Sequence, residues 1–213
     1  MLVLAHRGYH KDVPENSLES LLAARRAGFD GVEFDIRRCG SGELVLYHDE
    51  DVDGQPLSEM SLGELQSARP EVPTLGDAVR VLGRTGGWVN AELKETGIAA
   101  ETISIILGVT DTLLVTSFLS DALREAAYIL PKEHLGRILC PGLGGSWFRE
   151  LTSCRGVRPA RMVCPSWGAW RRLPLAFVPS RTMVWNVPSG TALGRLRSAG
   201  VFAAITDHAE ALS

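Results

Sequence analysis

Two carboxylates, Glu33 and Asp35, stand two residues apart in the run Val32-Glu33-Phe34-Asp35-Ile36. On a β-strand residues i and i+2 share a face, so both acids point one way while Val32, Phe34 and Ile36 point the other. The alternation returns in Trp88-Val89-Asn90-Ala91-Glu92-Leu93-Lys94, which puts Asn90, Glu92 and Lys94 on one face. After Ile36 the tetrad Cys39-Gly40-Ser41-Gly42 offers a reversal, and the apolar run Leu44-Val45-Leu46-Tyr47 leads to His48-Asp49. Pairing as a hairpin about residues 40 and 41 returns His48 beside Glu33 and Phe34. Near the start of the chain, Leu2-Val3-Leu4-Ala5 ends on His6-Arg7-Gly8. An apolar ribbon that carries acids and an imidazole to one spot is costly as structure alone, because buried charges need partners.

Glu33, Asp35 and Glu92, drawn from two strands, form a hard-oxygen donor set that suits one divalent cation, Mg²⁺ or Ca²⁺. The set lacks the His and Cys ligands that zinc prefers. Arg7 and Lys94 add two cations fit for a phosphate, and His6 and His48 remain to move protons near neutral pH. Metal, phosphate clamp and paired imidazoles together point to phosphodiester cleavage. No Gly-x-Ser-x-Gly elbow occurs, so a Ser-His-Asp triad is not supported. His10, His134 and His208 lack acid partners at useful spacing and read as surface or capping residues. Trp147, Trp167 and Trp170 read as rim residues that together could bind an acyl or aromatic group.

The elements that must position these groups alternate. A helix opens at Pro14-Glu15-Asn16-Ser17, with Asn16 as its cap, Glu19 three residues later, and Gly28 as its stop. Ser61-Leu62-Gly63-Glu64 is a second capping box, and Pro73-Thr74-Leu75 starts a helix running to about Leu82. Arg84 to Gly87 makes a turn. Helices are expected over Ala99 to Leu107, Asp121 to Leu130, Ser146 to Ser153 and Thr191 to Ala199. Ser166 to Val178 is left unassigned. Strands ending near residues 6, 35, 93, 117, 139, 164, 186 and 206 make eight βα units. The predicted class is therefore α/β: a (β/α)₈ TIM barrel with a short hairpin excursion after strand two, over residues 1–213 as a single domain without a large insertion. A doubly wound open sheet is the alternative, but its phosphate-binding Gly-x-Gly-x-x-Gly turn is absent. In a barrel, active sites lie at the C-terminal ends of the strands. His6-Arg7, Glu33, Asp35, Glu92, Lys94, Ser117 and Asp207 all fall there.

Composition narrows the partners. The 213 residues are 45% hydrophobic, enough for a core, and the net charge of −3 argues against a nucleic-acid partner. No apolar run approaches a membrane span, so no stable membrane insertion is expected. A basic leader with a cleavage site is not seen, and the four cysteines lack metal-site spacing. A cytoplasmic protein with reduced thiols follows as the expectation. A homo-oligomer is left open.

The phrases AHRGYHKDVPENSLESLLAARRAGFDGVEFDIRRCGSGELVLYHDE, PTLGDAV, NAELK, VTSF and ITDHAEAL resemble the glycerophosphodiester phosphodiesterase family in order and spacing. The resemblance is very specific over residues 4 to 50, good from Pro73 to Lys94, and thinner after Phe118. It implies a barrel of the phospholipase-C-like phosphodiesterase type that hydrolyses glycerophosphodiesters, such as glycerophosphocholine or glycerophosphoethanolamine, to glycerol 3-phosphate and an alcohol. By position, His6 and His48 match the family's acid and base, with His6 taken as base and His48 as acid. Glu33, Asp35 and Glu92 match its metal ligands, and Arg7 and Lys94 its phosphate contacts. Glu15 falls on the mouth loop, where a substrate-binding or supporting role and a helix-capping role both stand open, and Trp185 matches the family's tryptophan. Ser117 and Phe118, read from their place at the end of strand four, are expected to line the pocket. The nucleophile is water or the substrate's own hydroxyl, which would give a cyclic phosphate first.

Three departures stand out. The segment from His48 to Pro73 is compact, leaving less lid over the site. Trp185-Asn186-Val187-Pro188 replaces the usual Trp-Thr-Val-Asn, and Phe202-Ala203 replaces the usual Gly-Asp. A lysophospholipase D-type or cyclising enzyme, and a degenerate barrel that only binds phosphate esters, are the competing readings.

Overall fold

The chain is described by a computed structural model over residues 1–83, 87–139, 161–172, 181–209 and 212. It begins with β1 (Leu2–Ala5), α1 (Leu18–Ala27), β2 (Gly31–Arg38) and β3 (Leu44–Leu46). A small excursion follows: β4 (Asp51–Val52), β5 (Gln55–Pro56) and α2 (Leu62–Ala68). Then come α3 (Leu75–Leu82), β6 (Trp88–Leu93), α4 (Ala99–Leu107), β7 (Leu113–Ser117), α5 (Ser120–Ala126) and β8 (Leu135–Leu139). The last described elements are β9 (Met162–Pro165), α6 (Trp167–Trp170), β10 (Met183–Val184), α7 (Gly190–Ser198) and β11 (Ala203–Thr206).

Eight strands run parallel in the order β10-β11-β1-β2-β6-β7-β8-β9, with β3 paired antiparallel to β2 off that path. The parallel bridges Val163–Thr182 and Ser166–Trp185 join the two ends, which closes the sheet into a (β/α)₈ barrel. The hairpin pairs Ile36 with Leu46 and Arg38 with Leu44, so it turns about residue 41, within a residue of the expected centre.

Period-2 alternation sorts the strands into two layers. Val32, Phe34 and Ile36 point outward into the main core, where Leu21, Leu75, Val79 and Ile103 of the helices meet them. Leu4, Leu114, Ile138, Met162, Cys164, Met183, Ala203 and Ile205 point inward and fill the barrel. Gly136 belongs to this inner layer: a Cβ there would meet Cys164 Sγ at 2.8 Å and Thr116 Cγ2 at 2.9 Å. A third cluster, including Cys39, Val45, Leu57, Met60 and Leu65, lies under the excursion and gives it a core of its own.

Helix ends follow capping chemistry, with one correction. Ser61 and Glu64 form the predicted box on α2, and Thr74 caps α3. The cap of α1 is Ser17, not Asn16: Ser17 Oγ accepts from Ser20 N, and Ser20 Oγ accepts from Ser17 N. Asn16 lies at φ 52, outside helical space. Gly28 ends α1 in the left-handed conformation, as its position predicts. The unassigned stretch after β9 opens with α6, capped by Ser166.

Cys39 and Cys164 are buried free thiols. Cys140, Cys154, Trp147, the expected helix from Ser146 to Ser153, and most of the expected turn from Arg84 lie outside the described residues. Among the described residues no helix is long and apolar enough to cross a membrane.

Candidate active site

The inward positions at the C-terminal ends of β1, β2 and β6 carry the polar residues. The β2–β6 register sets Glu33 against Asn90 and Asp35 against Glu92. Glu33, Asp35 and Glu92 are all buried, and a carboxylate oxygen from each lies within 4.8 Å of the others. Lys94, the next inward position, reaches back with Nζ 2.9 Å from Asp35 Oδ1 and 2.5 Å from Glu92 Oε1.

The His-Arg-Gly turn wraps the other side. Arg7 and Gly8 both take positive φ, 52° and 74°. That reversal lets Arg7 N donate to Glu33 Oε2 at 3.0 Å and Gly8 N to Glu33 O at 3.2 Å. Only glycine fits at position 8, since a Cβ would lie 2.3 Å from Ser20 Oγ. The Arg7 guanidinium donates to Glu15 Oε1 at 2.6 Å, and its Nε stands 3.1 Å from Asp35 Oδ2. Asn16, displaced from the cap role, binds Asp35 twice: its Nδ2 donates to Oδ2 at 3.0 Å, and its Oδ1 accepts from Asp35 N at 3.2 Å.

Each imidazole is backed by a carboxylate. His6 Nδ1 lies 2.9 Å from Asp207 Oδ1, and His48 Nδ1 lies 2.7 Å from Asp49 Oδ1. In both, Nε2 is left to face a reacting group. Arg37 Nε donates to the His48 carbonyl at 2.9 Å and fixes that turn. His10 does find an acid, contrary to its sequence spacing, with Nε2 3.9 Å from Asp207 Oδ1. The left-handed turn at residues 7 and 8 swings it toward β11.

Charge is unevenly balanced. Burial opposes the charge on Asp35, but Lys94, Arg7 and the Asn16 hydrogen bond outweigh it and hold its pKa below the ordinary carboxylate value. Burial and the Asp35 charge push Glu33 up to about 8. Burial and Asp35 also raise Glu92, against Lys94. For His6, burial favours the neutral ring, yet the Asp207 hydrogen bond and the Glu33 charge prevail and raise its pKa. Two buried carboxylates thus lack enough positive charge. A set of hard oxygens short of a cation fits a divalent metal ion, and the triad could hold one.

A cavity of about 160 Å³ is lined on one side by His6, Arg7, Glu33, His48, Glu92 and Lys94. Phe118, Ile138, Cys164, Met183, Trp185 and Ile205 line the other, with Asn90 and Thr116. Phe118 and Trp185 meet edge to face, their centroids 6.2 Å apart. Ser117 does not line it. Thr116 is the inward residue of β7, paired in register with Glu92, so Ser117 points outward. There its Oγ donates to Leu93 O at 2.7 Å and accepts from Leu119 N at 2.9 Å. Trp167 and Trp170 stack on each other at 5.4 Å and pack against the outer core rather than the cavity. Sequence reasoning gave Asn16 only a cap role, put Asp207 at the mouth without a task, and gave none to Asp49, Asn90 or Thr116; strand parity from Glu92 and the His48-Asp49 adjacency were the available signals.

A closed parallel barrel with acids, cations and carboxylate-backed imidazoles at one mouth defines a barrel phosphodiesterase. The glycerophosphoryl diester phosphodiesterase family matches residues 6–124, more than half the chain, and the chain belongs to that family. A glycerophosphodiester phosphodiesterase of Caldanaerobacter subterraneus subsp. tengcongensis is 29% identical over 173 residues, covering 70% of this chain and 71% of that protein. A probable glycerophosphodiester phosphodiesterase 2 of Mycobacterium tuberculosis is 26% identical, covering 84% of this chain and 69% of its own length. Among solved structures, the glycerophosphodiester phosphodiesterase of Thermotoga maritima superposes with a TM-score of 0.84 at 24% identity, covering 100% of this chain and 96% of that one. A phosphodiesterase of Oleispira antarctica, in complex with the product sn-glycerol-3-phosphate, gives 0.78 at 23% identity, covering 100% and 95%. Both structures share the fold.

Proposed function

We propose that the chain, acting as one barrel domain, hydrolyses glycerophosphodiesters such as glycerophosphocholine and glycerophosphoethanolamine to sn-glycerol 3-phosphate and an alcohol. The observation that carries this reading is that His6, His48, Arg7, Lys94 and the acids Glu33 and Glu92 line one cavity. The product held by the Oleispira antarctica relative agrees with it. Glu33, Asp35 and Glu92 would hold one divalent cation, Mg²⁺ or Ca²⁺. When bound, the cation supplies charge neutralisation at a phosphate oxygen.

The remaining chemistry falls to the chain's own side chains. Arg7 and Lys94 flank the acids and offer charge to the phosphate, and Glu15 holds the Arg7 guanidinium in place. Asp207 and Asp49 orient the two rings through Nδ1. One Nε2 takes a proton from the nucleophile and the other returns one to the leaving alcohol. The Asp207 hydrogen bond and the Glu33 charge raise the His6 pKa against its burial, and on that ground we take His6 as acid and His48 as base, the reverse of the assignment made from sequence. Phe118 and Trp185 form the apolar side of the pocket.

The test is release of glycerol 3-phosphate from glycerophosphocholine with Mg²⁺, with Ca²⁺ and with chelator. Turnover should need the cation and fall by about 10²–10⁴-fold in His6→Ala and in His48→Ala. A p-nitrophenyl diester, whose leaving group needs no acid, should rescue His6→Ala more than His48→Ala. Metal binding without turnover of either glycerophosphodiester would replace the enzyme reading with a binding role.

A further inference from the structure

The cavity does not stop at the acids. Asn90 is one inward position deeper on β6 than Glu92, in a wall otherwise formed there by Ile138, Cys164, Met183 and Ile205. Asn90 is 1% exposed, and its Nδ2 donates to Thr116 Oγ1 at 3.1 Å. Its Oδ1 is buried and has no hydrogen-bond partner among the described residues. Buried polar atoms are seldom left bare in folded proteins, and one on a residue that lines a cavity marks where a ligand or water completes the bond.

The chemistry of the missing partner can be narrowed. An amide oxygen accepts, so the partner must donate. A phosphate diester has no proton to give, and a quaternary ammonium has no N–H. The apolar wall disfavours a charged group. The cavity, about 160 Å³, is several times a water's share of liquid volume, roughly 30 Å³. A neutral hydroxyl on a small polyol fits.

We propose that Asn90 Oδ1 accepts a hydrogen bond from a hydroxyl of the substrate's glycerol moiety, making Asn90 a specificity-determining residue for glycerol-bearing diesters. This rests on the functional reading above. Thr116 Oγ1 takes the amide's Nδ2 and leaves Oδ1, on a residue that lines the cavity, to accept. A diester lacking that hydroxyl leaves the amide oxygen desolvated and unpaired, a penalty that falls on the unwanted substrate.

The experiment compares kcat/KM for glycerophosphocholine with that for two analogues, each lacking one glycerol hydroxyl. Wild type, Asn90→Ala and Asn90→Leu are run together, and cation affinity is measured by calorimetry. Wild type should prefer the parent over one analogue by about ten- to a hundredfold, and both variants should narrow that preference to about threefold or less. Cation affinity should be retained. Equal slowing of all three substrates would show a structural role, and a parallel loss of cation affinity would make Asn90 a metal ligand; either overturns the proposal. Even if the variants do not fold, a wild type without hydroxyl preference overturns the proposal. Turnover without hydroxyl preference removes this inference only, whereas no turnover of any diester removes the functional reading beneath it.

Discussion

Glu33 is the carboxylate with the least support. It receives one backbone donor, Arg7 N, and among the described residues no lysine or arginine ion pair, and burial with Asp35 raises its pKa to about 8. A group whose folded pKa is raised contributes stability that is full below its unfolded value and is lost as pH rises through the folded one. Metal-free protein should therefore lose stability between about pH 4.5 and 8, by up to about 1.4 kcal/mol per pH unit for such a group. Saturating Mg²⁺ or Ca²⁺ should flatten or reverse that slope, since the cation takes the proton's place. Thermal melts from pH 6 to 8, in chelator and in cation, measure it; a rising Tm in chelator would contradict the charge balance drawn here. Asp207→Asn removes the carboxylate whose hydrogen bond and charge raise the His6 pKa. The His6 pKa should fall, the alkaline limb of the pH–rate profile should move to lower pH, and kcat should drop at least about tenfold. The acids, Arg7, Lys94 and both histidines were legible in the sequence because strand parity and the barrel rule place them. Asn16 was misread for a physical reason: Asn16–Glu19 and Ser17–Ser20 are capping spacings one residue apart, and only the left-handed backbone at Asn16 decides between them.

At the level of elements, β2, β6 and their neighbours act as rulers whose marks are two residues apart. Alternating acids and hydrophobes made the rule readable on β2 and β6. On β7, Leu114 and Val115 are both apolar, so sequence gave no sign of which faced inward, and the register with β6 was needed to point Thr116 in and Ser117 out. The inner layer is also tight. Gly136→Ala would press a methyl against Cys164 Sγ and Thr116 Cγ2, and should cost about 1–3 kcal/mol by overpacking. The midpoint of urea unfolding should fall with little change in slope. Because Thr116 supports Asn90, the same substitution should also weaken turnover of the folded enzyme. No shift in the midpoint would mean that the layer relaxes more easily than its distances imply.

For the whole molecule, the barrel was legible from eight regularly spaced strands, but its seam was not. β2 and β6 share six register pairs, from Gly31–Trp88 to Ile36–Leu93. β9 and β10 are joined by two isolated bridges, Val163–Thr182 and Ser166–Trp185. Short strands with few shared hydrogen bonds open locally at lower free energy than long ones. Hydrogen exchange should therefore be faster at the amides of Val163 and Trp185, which bond across the seam, than at those of β2 and β6. Equal protection around the barrel would contradict this. The two sides of the cavity also come from different stretches of chain. Residues 6 to 94 furnish its acids, cations and imidazoles, whereas Phe118 to Ile205 furnish the greasy wall. The family match spans residues 6–124 and so takes in the first stretch whole. Reactivity and the contour of the greasy side are thus written in separate paragraphs of the same text, and the later one can be rewritten, by drift or by a designer's chimera, to reshape that side without touching the grammar of bond breaking.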